Sequence, residues 1–176
     1  RHGQVDWPVG VKSAIVIAIS HPEEKPELDS WILGGKSTAG NTPGNKKLIS
    51  TMKRIGYWLE REKEVQCFNM SYHIELGGIY MKDTAVLAGL GCIGMNNIFI
   101  TPQFGPRQRL KVMLVDVELE PTRPIDFDPC ADCEMPCRSA CPKKAFAEVV
   151  YTPEQYGQEI LPGRDGVFNR LLCSER

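Results

Sequence analysis

Residues 82–121 read KDTAVLAGLGCIGMNNIFITPQFGPRQRLKVMLVDVELEP, and the order of elements within them decides the fold. Ile79 to Ala88 has helical character and is stopped by Gly89, because glycine past a helix end takes the left-handed conformation at no steric cost. Asn97 to Thr101 and Arg109 to Leu119 are rich in Ile, Val and Phe and read as strands, with a turn over Pro102 to Pro106 between them. Gly89-Leu90-Gly91-Cys92-Ile93-Gly94 satisfies G-x-G-x-x-G, with Asp116 further on. A dinucleotide site needs a strand before that run and a helix after it, so that the helix N-terminus meets the pyrophosphate. Here the order is reversed, which argues against that use. The glycines still permit backbone to approach a large flat ligand closely. A helix cap with a tight turn into a strand is the equally simple alternative.

Working outward, Lys12 to Ser20 (KSAIVIAIS) is apolar on consecutive positions and β-branched, the pattern of a strand buried on both faces. His21-Pro22 ends it, and Pro22 to Asn45 turns to Pro, Gly, Ser, Lys and Glu, the composition of a solvent-facing loop. Thr42-Pro43 has the form of an N-cap followed by Pro at the first helical position. Leu48, Ile49, Met52, Ile55, Trp58 and Leu59 then recur at helical spacing, so a helix is expected near 43–64. Val65 to Tyr72 reads as a short strand. Beyond Glu120 the chain becomes a proline-rich linker (EPTRPIDFDP), which sets a boundary near residue 122: an α+β domain over 1–122 and a smaller module over 123–176.

The module opens on Cys130, Cys133, Cys137 and Cys141, spaced C-x2-C-x3-C-x3-C-P. Several thiolates converging from one short looping segment is what an iron-sulfur cluster requires. The bacterial ferredoxin run is C-x2-C-x2-C-x3-C-P, and its fourth cysteine serves the other of two clusters. One extra residue separates the second and third cysteines here. Zinc would favour two C-x2-C pairs set well apart, or histidine downstream, and His73 is the last histidine in the chain. A zinc-stabilised interaction module and unliganded thiols remain the alternatives. Two clusters need eight thiolates, and the chain has seven cysteines. Cys67 and Cys92 lie in core-like sequence.

Composition bounds the rest. The 176 residues are 42% hydrophobic and 24% charged, an ordinary globular balance. Twenty-one Lys and Arg against 22 Asp and Glu leave a net charge of -1, which gives no bulk attraction for nucleic acid or an anionic membrane, so tRNA is unsupported unless a local patch exists. The longest purely apolar run, Ala14 to Ile19, is far short of the roughly 20 residues needed to span a bilayer. An odd cysteine count crowded into one segment suits a reducing compartment rather than a disulfide framework, and a soluble cytoplasmic protein is expected. Starting at Arg1 with a core strand soon after suggests numbering that begins inside a longer polypeptide.

The glycine run, the T-P-Q-F-G-P-R run at 101–107 and the cysteines, in this order and at these separations, resemble the epoxyqueuosine reductase family. Its members carry a pattern like A-G-L-G-W-I-G-K-N, then T-P-E-F-G-P-R-x-R-L and a ferredoxin-like module. The match covers residues 82–145 closely. The resemblance implies a nitroreductase-like, cobalamin-binding α+β fold shared with reductive dehalogenases, and one or two [4Fe-4S] clusters feeding electrons to a corrinoid. It places Gly89, Gly91, Gly94, Asn96 and Asn97 beside the corrinoid. Cys130, Cys133 and Cys137 would hold the first cluster, and Cys141 and Cys173 would belong to the second. Arg107 and Arg109 would be structural or anion-contacting. Cys92 stands where the pattern has Trp and Met95 where it has Lys. The carboxylate that precedes the glycines in the family corresponds by spacing to Glu75, in unlike surroundings, so no catalytic residue is assigned and a divergent relative is expected.

Among the remaining residues, His73 reads more simply as structural than as a ligand, and His2 and His21 as loop residues. Cys92 suits either a cofactor contact or a small buried thiol. Arg107, Arg109 and Lys111 alternate along one side of a strand, most simply a solvated face. The function expected is an iron-sulfur oxidoreductase acting on an organic substrate with an electron donor as partner. A non-catalytic electron carrier or reductive activator of a corrinoid protein is the alternative.

Overall fold

The computed structural model describes residues 5–21, 43–157, 159–161 and 164–174. Of the loop expected over 22–45, residues 22–42 lie outside the described residues, as does the proposed cap at Thr42, whereas 43–45 belong to the first helix, in keeping with the helix expected from Pro43.

β1 (Ser13–Ser20) and β2 (Cys67–Asn69) both pair antiparallel with β5 (Gln108–Val115), giving the order β1-β5-β2. The register runs from Ser13 opposite Val115 to Ser20 opposite Gln108, and from Cys67 opposite Val115 to Asn69 opposite Met113. A second, two-stranded sheet joins β3 (Cys92–Ile93) to β4 (Phe99–Ile100). The fold is therefore mixed helix and sheet, with small antiparallel sheets.

The alternation of side chains along β5 builds two cores, since successive residues in a strand point to opposite faces. Val112 and Leu114 pack with Met70 and Ile79 on one face. Met113 and Val115 pack with Met52 on the other, under α1 (Pro43–Glu62). α1 presents Gly44, Leu48, Met52 and Gly56 to the sheet at strict i, i+4 spacing. Gly56 is small for a reason: an added Cβ would stand 3.1 Å from Met113 Sδ. Ile49 and Trp58, which the periodicity grouped with the core, lie on the outer side instead, 39% and 52% exposed.

β1 differs from its sequence reading. Among the described residues it has a neighbour on one side only, and Ala14 and Ala18 are exposed. A run of consecutive apolar residues marks a central strand only where bulk is buried on both faces. In β1 one face is carried by alanine, small enough to leave in water at little cost, and the doubly buried strand is β5.

α2 (Met81–Leu87) and the β3–β4 hairpin share a third core of Ala85, Ile93 and Phe99. The remainder is mostly irregular, with two short helices, α3 (Pro136–Ser139) and α4 (Arg170–Ser174). It is tied to the rest by specific contacts: Thr122 Oγ1 donates to the Ala88 carbonyl at 2.7 Å, and Arg138 Nε to the Met95 carbonyl at 2.5 Å. Ala145 is fully buried and its carbonyl accepts from the Asn169 N–H, with the Phe146 and Phe168 rings 5.4 Å apart beside it.

Candidate functional site

α2 ends as its sequence demands. Gly89 takes φ +72°, and Gly89 N–H and Leu90 N–H fold back onto the Val86 and Ala85 carbonyls. The chain then enters the hairpin, so helix precedes and strand follows the glycine run, the reverse of a dinucleotide site.

The glycines meet different neighbours. A Cβ on Gly89 would lie 2.3 Å from the Arg123 carbonyl oxygen, and one on Gly91 2.0 Å from that of Ile100. Both positions are thus taken up by the protein's own backbone. Gly94 faces elsewhere: its absent Cβ would lie 3.5 Å from Cys130 Sγ. At the hairpin tip Asn97 N–H donates to the Gly94 carbonyl, Asn97 itself sits at φ +61°, and Asn96 Oδ1 accepts from Ile98 N–H at 3.1 Å. Asparagine tolerates the left-handed region better than most residues, which suits it to this tip.

Between the hairpin, the Phe127–Cys130 linker and the side chains of Tyr151, Leu161 and Phe168 lies a cavity of about 370 Å³ whose lining includes Cys92, Gly94, Asn97, Cys130 and Arg164. Of the residues read as cofactor contacts, Gly94 and Asn97 reach this cavity, while Gly89, Gly91 and Asn96 are not in its lining. Its outer wall is held by charge. Arg164 makes a two-pronged pair with Asp83 of α2, and its Nη1 also donates to Asn97 Oδ1 at 2.9 Å and to Tyr151 Oη at 3.5 Å. Lys82 Nζ donates to the Asn97 carbonyl, and burial, then the neighbouring Arg164, pull its pKa down to about 8. Arg138 pairs with Asp165. None of these charged groups was singled out from sequence, because Asp83 and Arg164 are 81 positions apart and no spacing rule links them.

The cysteines are all free thiols. Cys130 N–H is held by Asp128 Oδ1 at 2.8 Å, and Cys133 N–H turns back onto the Cys130 carbonyl. Cys137 lies in α3, and Cys141 follows with its N–H on the Arg138 carbonyl. Cys133, Cys137 and Cys173 are exposed, while Cys130 and Cys141 are partly covered. Among the described residues no three His, Cys, Asp or Glu side chains gather closely enough to hold one ion. The donor set nonetheless fits a thiolate-bound cluster in its chemistry: four thiols on one short loop, one of them, Cys130, at the cavity wall. The cavity is near the lower end of the roughly 300–1,000 Å³ range of sites for drug-sized molecules, and is smaller than a corrinoid ring with its side chains.

Other sequence candidates are placed elsewhere. His73 stacks edge-on against Tyr72, with its Nδ1 4.0 Å from Glu75 Oε2, and Glu75 also pairs with Arg170 at 3.4 Å. Arg109 and Lys111 are not a solvated face: they lie on the α1 side of β5 and are partly buried, with Arg109 Nη1 3.3 Å from Asn45 Oδ1. Burial lowers the pKa of both. They continue the register of Met113 and Val115, so the same alternation that buries those residues turns these inward. Cys67 is half-buried, its Sγ directed to the Gly56 carbonyl.

No protein-family model matches the sequence. Tetrachloroethene reductive dehalogenase of Desulfitobacterium hafniense is 31% identical over 142 residues, covering 77% of this chain and 24% of the relative. Epoxyqueuosine reductase of Gloeobacter violaceus is 30% identical over 139 residues, covering 79% of this chain and 42% of the relative. The solved epoxyqueuosine reductase of Streptococcus thermophilus superposes with a TM-score of 0.58 at 24% identity, over 77% of this chain and 37% of that one. The chain is epoxyqueuosine reductase-like, divergent and partial. A second solved epoxyqueuosine reductase, determined with a tRNA stem loop, gives a TM-score of 0.59 at 23% identity, covering 78% of this chain and 36% of that one. These likenesses show a shared fold, and this epoxyqueuosine reductase-like chain spans about a quarter to two fifths of the curated relatives it matches. No described helix is long and apolar enough to cross a membrane.

Proposed function

We propose that this chain is the iron-sulfur-bearing part of an oxidoreductase that delivers electrons, one at a time, to a corrinoid for reduction of an organic substrate. The observation that carries the reading is the placement of Cys130 Sγ over Gly94, at the wall of the hairpin cavity and at the head of a loop bearing three more cysteines. On this reading residues 1–122 form the cofactor-facing domain and 123–176 the iron-sulfur module. Cys130, Cys133 and Cys137 hold one cluster, and Cys141 and Cys173 contribute to a second. A bound [4Fe-4S] cluster supplies a low-potential one-electron store. What the chain supplies is position: Asp128 fixes the turn that aims Cys130 inward, and Arg164 with Asp83 closes the opposite wall. The corrinoid is too large for the cavity of about 370 Å³. Free thiols suit a reducing, cytoplasmic setting.

The test is anaerobic reconstitution with iron and sulfide. Bound iron, a broad visible absorption band and a paramagnetic signal on reduction support the reading, and loss of that iron in Cys130→Ser ties it to this loop. A chain that stays colourless and iron-free overturns it. Corrinoid binding by the same protein favours the enzyme, whereas reduction of a partner without corrinoid binding favours the carrier alternative.

A substrate carried on nucleic acid is supported by one surface. The outer side of α1 is a shallow groove lined by Lys46, Lys53, Arg54 and Arg61 with Tyr57 and Trp58 among them. Tyr57 and Trp58 are 60% and 52% exposed, with Arg61 and Lys63 over their rings. Basic side chains interleaved with exposed rings suit phosphate contact and base stacking despite the chain's overall charge. Salt-sensitive binding of an RNA stem loop, weakened about tenfold by Lys53→Glu with Arg54→Glu, is expected. Binding unchanged by that pair removes α1 from the interface.

A further inference from the structure

We infer that the outer edge of β1 pairs antiparallel with β1 of a second copy of this chain, joining the two sheets into one across a two-fold axis. Among the described residues β1 has a partner, β5, on one side only. Register fixes which of its backbone groups face that partner: His21 N–H donates to the Arg107 carbonyl at 2.9 Å, one step beyond Ser20 opposite Gln108. A strand in an antiparallel pair bonds to a given neighbour at every second residue. Ser13, Ile15, Ile17 and Ile19 therefore bond to β5, while Ala14, Val16, Ala18 and Ser20 turn both N–H and C=O outward. The side chains agree with an unfinished sheet. Val112 to Val115 of β5 are buried, whereas Ile15, Val16, Ile17 and Ile19 are covered only in part and Ala14 and Ala18 are exposed. Between Ser13 and Ser20 there is no charge or proline of the kind that keeps edge strands apart.

The sequence of the strand names the occupant. Ala14-Ile15-Val16-Ile17-Ala18 reads the same in both directions about Val16. An antiparallel copy centred there sets Val16 opposite Val16, Ala14 opposite Ala18 and Ile15 opposite Ile17. Each residue whose backbone faces outward then meets another that does the same, as the ladder requires. The two faces match as well. Ile15 and Ile17 lie at the margin of the core that Met52 of α1 forms with Met113 and Val115, and each gains an isoleucine neighbour there. On the other face the exposed alanines meet each other. Lys12 comes opposite Ser20 of the second copy, so no like charges are opposed. An edge contact of this size falls below the roughly 1,200 Å² of a standard interface, so the dimer is a weak one, with Kd on the order of 10 µM. The pairing uses no metal and stands apart from the iron-sulfur reading.

The test uses the metal-free 176-residue chain. Sedimentation velocity from about 1 to about 200 µM should show monomer giving way to dimer. Over the same range, hydrogen exchange at the Ala14, Val16 and Ala18 amides should slow about tenfold, while the Ile15 and Ile17 amides, already bonded to β5, stay unchanged. That readout needs no variant to fold. Two double substitutions at the exposed alanines then test the register. Ala14→Lys with Ala18→Lys sets like charges opposite each other and should weaken the dimer at least about tenfold. Ala14→Lys with Ala18→Glu sets opposite charges together in this register alone, and should leave the dimer as tight as wild type or tighter. A wild-type chain that stays monomeric throughout, or a dimer whose Ala14, Val16 and Ala18 amides exchange as fast as in the monomer, overturns the inference. So does equal weakening by the two substituted pairs when both keep the wild-type circular dichroism.

Discussion

Arg164 and Asp83 join across 81 positions of sequence, Nε to Oδ1 at 2.7 Å and Nη2 to Oδ2 at 2.8 Å, with each side chain 15% exposed. Burial opposes the guanidinium charge and the hydrogen bonds to Asp83 outweigh it, so Arg164 is held more firmly protonated than usual. Removing one partner of such a pair leaves a covered charge without its counter-ion. Asp83→Asn is expected to lower stability by about 2–4 kcal/mol, read from the urea midpoint. Asp83→Leu combined with Arg164→Met should recover part of that loss. Full wild-type stability in Asp83→Asn would show that the pair is ornamental.

Lys82 makes stability depend on pH in the alkaline range. Its folded pKa is about 8 against an ordinary 10.5, so between these values the unfolded chain holds more protons than the folded one. Stability therefore rises with pH across that window, by at most on the order of 3 kcal/mol. Below pH 8 both states are protonated and the slope vanishes. Urea titrations at pH 7.5, 9 and 10.5 should show the rise in wild type and a flatter response in Lys82→Met.

Gly91 and Gly94 should respond differently to the same methyl group. At Gly91 it meets the Ile100 carbonyl oxygen at 2.0 Å, a backbone atom that cannot move without breaking the hairpin. At Gly94 the tightest neighbour is Ile100 Cδ1 at 2.6 Å, the free end of a flexible side chain. Gly91→Ala is expected to cost about 2–4 kcal/mol and Gly94→Ala under about 1.5 kcal/mol, by thermal or chemical unfolding. Equal losses would contradict this account of the turn.

Thiol reactivity should follow exposure in the metal-free chain. Cys133 and Cys137 are exposed, whereas burial, first of all, pushes the Cys67 and Cys92 thiols up. At neutral pH alkylation followed by mass spectrometry should label Cys133 and Cys137 first and Cys67 and Cys92 last, because the thiolate is the reactive form. Early labelling of Cys92 would place it outside the cavity.

The sequence was legible where its signals are local. α1 begins at the Pro43 expected to open it, and α2 stops at the glycine expected to stop it, because breakers and caps act within a turn. β5 begins one residue before its expected span and stops at Val115, short of Leu119, and β2 and β4 shorten to the residues that find partners. Burial depth was less legible: β1 reads as buried on both faces but, among the described residues, has a partner on one side only and exposes Ala14 and Ala18, and Arg109 and Lys111 read as solvated but are tucked under α1. Both errors come from reading one strand without its neighbours. At the site, the cysteine spacing announced its chemistry, but nothing in it told where Cys130 Sγ would rest. The Asp83–Arg164 closure is a pairing of two ordinary charges, visible only after the chain has returned on itself.

The position of β5 between β1 and β2 also governs how the sheet is assembled. Ser13 must wait for Val115, and Ser20 for Gln108, so β1 stays unpaired until β5 has been synthesised. Such distant pairing folds slowly, and an orphan apolar strand is open to association with other chains meanwhile. Polypeptides truncated before residue 108 should therefore aggregate rather than fold, whatever the integrity of α1 within them.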